Sequence, residues 1–143
     1  MAANIEDNKA LVRRFIEEVF NEGKYNLIEG FYATPELASH IKGDSPMLRR
    51  GFPDLHFVVE DLIGEGDKVV VRYTISGTNT GPFMGRPPSG KAATWGGVTV
   101  ITVKGGKFQE EWVYPDRLSL LQQVGVIPAS VPAHPSQVAA ASH

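Results

Sequence analysis

Proton transfer near neutrality needs histidines or carboxylates, and this sequence offers four of the first and sixteen of the second. Cysteine is absent, which removes thiolate nucleophiles, disulfides and every zinc site built on sulfur. No two histidines stand at close ligand spacing, so no metal is expected. The remaining chemistry is acid/base work by Asp116, in the stretch KFQEEWVYPDR, and by His40. An imidazole at position 40 could hydrogen-bond a substrate carbonyl or share a proton with Asp116.

Asp116 stands out because a hairpin brings aromatic rings to it. Gly105-Gly106 is a strong two-residue turn between two β-rich runs. Counting outward from it, Trp95 faces Asp116, Gly97 faces Tyr114, Thr99 faces Trp112, Ile101 faces Glu110 and Val103 faces Phe108. Alternation places all of these on one side of the sheet, and Glu111 on the other with Val98, Val100, Thr102 and Val113. The aromatic side is the natural inner wall of a pocket. Trp95, Trp112 and Tyr114, with Phe15 from the first helix, are its predicted apolar surfaces, and Tyr32 and Met84 are further candidates for substrate contact. Asp116 has a second reading. It precedes Leu118-Ser119-Leu120-Leu121, where an aspartate satisfies free helix-start amides. The residues alone leave both roles open.

These side chains must be held by a scaffold, and the hydrophobic periods describe one. Leu11, Phe15 and Val19 recur every four residues, with Val12, Ile16 and Phe20 beside them, predicting an amphipathic helix over residues 5–22. A shorter helix is expected over 25–31. Residues 32–53 read as irregular, with a helical turn near 45–50. The period then changes to two, giving strands at 55–63, 68–78, 92–104 and 107–117. Residues 79–91 hold too many glycines and prolines for a strand and read as a loop. A last short helix is expected over 118–124. Helices first and hairpin-linked strands afterward predict an α+β fold. Its curved antiparallel sheet forms a cone-shaped half-barrel closed by the N-terminal helices. Residues 1–128 make one such domain, and residues 129–143 read as a mobile Ala/Pro/Ser tail.

The 143 residues are 42% hydrophobic and 21% charged, as in an ordinary globular protein. A net charge of −2 gives no reason to expect nucleic acid or an anionic membrane as partner. No apolar run is long enough to span a bilayer, and the polar start MAANIEDNKA lacks a secretion signal, so a cytoplasmic location is expected. The strip Val98, Val100, Thr102 and Val113 predicts a homodimer through the outer face of the sheet.

The segments FPDLHFVVEDLIGEGDKVVVR, GPFMGRPPSGK and GKFQEEWVYPDRLSLLQQVG, with NEGKYNLIEGFY near the start, resemble the SnoaL-like polyketide cyclase family of the nuclear-transport-factor-2-like superfamily. The resemblance covers nearly the whole chain except the tail. It implies a cone of curved sheet and a cofactor-free enzyme acting on a hydrophobic carbonyl-bearing small molecule by intramolecular aldol ring closure. Relatives also catalyse dehydration, isomerisation or hydrolysis, and others only bind. Trp112, Asp116, Leu118, Gln123 and Gly125 match the family's last strand and helix, which carries the acid/base role onto Asp116. Relatives often carry a histidine after the second helix, where His40 stands. Many also have one immediately before the strand tryptophan, where this chain has Glu111. The facing strand WGGVTVITV has no histidine to match the second catalytic one of the cyclases.

Overall fold

The structure is a computed structural model and describes residues 4–129. Helix α1 (Ile5–Phe15) starts where the Asn4 side chain accepts from the Asp7 amide at 2.7 Å, satisfying one of the donors left free at a helix start. The predicted helix continues past Phe15, but as a wider π-helical turn, Ile16–Asn21. From the end of that turn the Asn21 carboxamide accepts from the Phe57 amide at 2.7 Å and donates to the Phe57 carbonyl at 3.0 Å. One side chain thus pairs part of an otherwise open sheet edge.

A 3-10 turn (Tyr25–Leu27) and the single turn α2 (Ile28–Phe31) lead into α3 (Pro35–Gly51). Here the structure departs from the irregular segment expected over 32–53. Thr34 caps the helix through the Leu37 amide, and Pro35 sits in the first turn, where its missing N–H costs nothing. Gly43, Asp44, Ser45 and Pro46 look like a turn in sequence. The helix nevertheless runs through them, because Ala38, Ile41 and Ser45 are buried along one face. Burial outweighs the propensity penalty.

Strands β1 (His56–Glu65), β2 (Lys68–Thr78), β3 (Ala92–Lys104) and β4 (Lys107–Pro115) form one antiparallel sheet in that order. The sheet is curved and unclosed, and the N-terminal helices cover its inner face, as the α+β half-barrel reading predicts. Helix α4 (Arg117–Gln123) packs on β3. Its Gln123 side chain pairs with the backbone of Thr94, accepting at 2.9 Å and donating at 2.8 Å, where β4 has already ended.

The last hairpin corrects one expectation with large consequences. Lys104 pairs with Lys107 and Val103 with Phe108 as counted from the glycine turn, but Thr102 then pairs with Glu110. Gln109 is the extra residue of a β-bulge, and every later pair is displaced by one. A one-residue slip exchanges the two faces of a strand. Trp112 and Tyr114, expected on the inner wall, are therefore on the outer face, 54% and 60% exposed. Glu110 also faces out, near Lys68. Glu111, Val113 and Pro115 take the inner positions, so Val113 leaves the predicted outer strip. Phe108, ahead of the slip, stays fully buried against Phe15, Phe31 and Tyr32 at ring-centroid distances of 5.1, 5.9 and 5.2 Å.

The loop over 79–91 is present as expected and is held by buried Asn79. Its amide donates to the carbonyls of Gly51 and Gly81, and its oxygen accepts from the Ser89 amide and hydroxyl. Phe83 from this loop packs against Phe52 at 5.3 Å. Met84, predicted to touch substrate, is at the tip of a tight turn with φ of 52° and is 53% exposed, so it does not line the cavity. The predicted tail falls almost wholly outside the described residues. Among the described residues no helix is long and apolar enough to cross a membrane.

Candidate active site

Between the curved sheet and helices α1 and α3 lies a cavity of about 290 Å³. Its wall is largely apolar: Phe15, Ile16 and Phe20 from the first helical segment, Ile41, Met47 and Leu48 from α3, and Val71, Ile75, Trp95 and Ile101 from the sheet. Phe15 and Trp95 thus stand where the sequence places them, and both are almost fully buried. Phe83 closes one side.

Set into this wall is a carboxylate. Glu111 faces inward because of the Gln109 bulge, opposite Ile101, and its side chain is 6% exposed. Two donors from the helical layer meet its Oε1. The Tyr32 hydroxyl donates at 2.7 Å, and His40 Nε2 lies at 2.9 Å. Tyr32 follows α2 and stands behind the wall, while His40, in the second turn of α3, is part of it. No bond to Oε2 is made among the described residues. At the rim Asp44 and Arg117, from α3 and α4, approach to 3.8 Å across the mouth.

The electrostatics follow from this geometry. Burial, with the charge and hydrogen bond of Glu111 added, pushes the Tyr32 phenol far above its ordinary value. It remains a neutral O–H donor. The hydrogen bond to Glu111 is the main cause that raises His40 above its ordinary 6.5, with burial opposing and the charges of Glu111 and Asp44 assisting. A histidine raised in the folded state adds stability below the unfolded value, and that addition is lost as pH climbs through the folded one. A proton-resolved titration of His40 is expected to give a midpoint above about 6.5, and Glu111→Gln is expected to lower it. A midpoint unmoved by that substitution would break the assignment of the pair.

A second polar element lies on the sheet side. The Tyr73 hydroxyl and Thr99 Oγ1 are 3.1 Å apart, both residues are 5% exposed, and both line the cavity. Gly97, opposite Tyr73 in the ladder, makes room for the ring: a Cβ there would lie 2.6 Å from Tyr73 Cε1.

Asp116 is elsewhere. The slipped register places it beyond Pro115, with its amide donating to Gly96, and its carboxylate accepts from the Ser119 amide at 3.1 Å as the cap of α4. It is not among the residues lining the cavity, and no hydrogen bond joins it to His40. The structure therefore brings together His40, Tyr32, Phe15 and Trp95 from the sequence candidates, and separates Asp116, Trp112, Tyr114 and Met84 from them. Glu111 and Tyr73 had no sequence signal of their own, whereas Thr99 was already counted on the inner face. Only the place of Glu111, where relatives carry a histidine, pointed to it. No cluster of three metal-ligating side chains occurs among the described residues.

Residues 10–124 match the family described as SnoaL-like polyketide cyclase, most of the chain. The protein belongs to this family. No curated protein matches it. Among solved structures it resembles TsrD from Streptomyces laurentii, at 26% identity and a TM-score of 0.74 over 87% of this chain and 99% of that one. It also resembles a candidate SnoaL-like polyketide cyclase from Jannaschia sp. CCS1, at 28% identity and 0.76 over 88% and 97%. AclR from Streptomyces galilaeus, a candidate hydroxylase, shares the fold at 24% identity and 0.79 over 87% and 85%. The SnoaL-like family thus accounts for the half-barrel.

Proposed function

We propose that this SnoaL-like protein is a cytoplasmic acid/base enzyme. In this reading it closes a ring on a hydrophobic, carbonyl-bearing small molecule by an intramolecular aldol-type step. The observation that carries the reading is the Glu111 carboxylate, buried in an apolar wall with Oε1 held by Tyr32 and His40 and Oε2 unengaged. Such a group is oriented before a ligand arrives, which removes part of the entropic barrier.

Glu111 takes a proton from the carbon next to a carbonyl, leaving an enolate. The enolate carbon bonds to a second carbonyl carbon of the same molecule, and the resulting alkoxide receives the proton back from Glu111. Electrons and protons balance without a further reactant. Tyr32 keeps the carboxylate fixed, and His40 positions it and balances its charge when protonated. Phe15 and Trp95 supply flat surfaces that hold the substrate folded. Asp116 acts through the fold, by holding α4.

Polycyclic aryl ketones are expected to quench Trp95 fluorescence on titration, and sugars or nucleotides to leave it unchanged. Binding confined to charged phosphates would overturn the reading.

The homodimer proposal also gains a different surface. Trp112 and Tyr114 stand exposed beside Val100 and Val98, their ladder partners, and Ile63 extends the apolar strip on β1. A second copy covering this strip gives twice the monomer mass by light scattering at micromolar concentration. A monomer mass there removes the proposal.

A further inference from the structure

The Tyr73–Thr99 pair carries an inference that rests on the proposed function and deepens it. Two hydroxyls bring two O–H protons, and the bond between them uses one. The other has no acceptor among the described residues, although both groups are about nineteen-twentieths buried. An unspent donor in an apolar wall is costly unless something accepts from it. Burial also keeps the Tyr73 phenol protonated, since it is pushed above its ordinary value, with the Glu111 charge adding to the effect.

The pair is placed with respect to Glu111. Thr99 faces Val113, two residues along the same inner face from Glu111, which faces Ile101. Diagonal neighbours of this kind are roughly 7–8 Å apart at the backbone and within reach of long side chains. Tyr73, Thr99 and Glu111 line the same cavity, so a single bound ketone can meet them together. Gly97 serves the arrangement, because any side chain there would push the Tyr73 ring off the strand.

We propose that Tyr73 and Thr99 form the carbonyl-oxygen site of the cavity, donating a hydrogen bond to the oxygen of a bound aryl ketone while Glu111 works on the adjacent carbon. Negative charge reaching that oxygen as the enolate forms is met by a donor already in position, which is the general form of oxyanion stabilisation.

The test uses two probes of one shape. 2-Acetylnaphthalene accepts a hydrogen bond and cannot donate one to Glu111, and 2-isopropenylnaphthalene lacks the oxygen. Wild type is expected to bind the ketone about tenfold more tightly, the worth of one good hydrogen bond. Tyr73→Phe and Thr99→Val, examined separately in case one fails to fold and then together, are expected to weaken that preference, and the double variant, which has neither hydroxyl, to erase most of it. The infrared carbonyl band of the bound ketone should lie at lower frequency in wild type than in either variant. Equal binding of both probes by wild type, or a preference that survives both substitutions, overturns the site while the acid/base reading stands. A preference lost in His40→Ala instead assigns the donor to His40 and also overturns it. Failure of wild type to bind either probe brings down the proposed function itself, and this site with it.

Discussion

Glu111→Gln is expected to slow the exchange of α-hydrogens for deuterium on a bound polycyclic aryl ketone by roughly 10²–10⁴, the usual range for losing general acid/base catalysis. Glutamine keeps the size of the side chain and an oxygen that accepts from Tyr32, but it cannot take a proton at neutral pH. Fold and affinity should therefore stay close to wild type, so that the loss falls on the chemical step. The control is Asp116. As the cap of α4 it is expected to tolerate asparagine with exchange unchanged, whereas Asp116→Ala costs about 1 kcal/mol of stability. An active Glu111→Gln enzyme together with an inactive Asp116→Asn one would return the role to Asp116.

Phe108→Ala should be the most damaging of the stability variants discussed. Phe108 is fully buried, and its ring meets those of Phe15, Phe31 and Tyr32 at once. Its carbonyl also accepts from the Ala33 amide at 3.0 Å, tying the chain after α2 to the edge of the sheet. Truncation removes the ring from the junction between layers, and a packed neighbourhood of this kind cannot collapse fully into the void. The expected loss is about 3–5 kcal/mol, or on the order of 10 °C in melting temperature, measured by urea and thermal unfolding. A loss below about 1 kcal/mol would mean that the helices close over the gap, contrary to the packing described.

The fold was readable from the sequence because its signals are local and repeated. Four-residue spacing of Leu11, Phe15 and Val19 marked the first helix, and the Gly105-Gly106 turn marked the hairpin. Helix α3 was harder, since Gly43 and Pro46 oppose it locally and only the burial of Ile41 and Ser45 against other elements supports it. The site was half legible. Phe15 and Trp95 lie on elements whose phase the pattern fixed, whereas Tyr32 and His40 fall in the segment read as irregular, and the resemblance alone supported His40. Glu111 was assigned to the wrong face because the two sides of β4 are equally rich in large residues, so alternation could not detect a bulge at Gln109. Asp116 was ambiguous in sequence for a physical reason: a carboxylate ahead of a helix satisfies the cap rule and the acid/base pattern equally well.

That bulge also bears on how such proteins change over time. The inward or outward direction of the end of β4 depends on whether Gln109 is taken up as a bulge. Deleting Gln109 would leave a regular ladder with Glu111 still opposite Ile101, whereas closing the bulge without a deletion would bring Glu110 there and turn Trp112 and Tyr114 inward. Point substitutions would need several independent changes to reach the same interior.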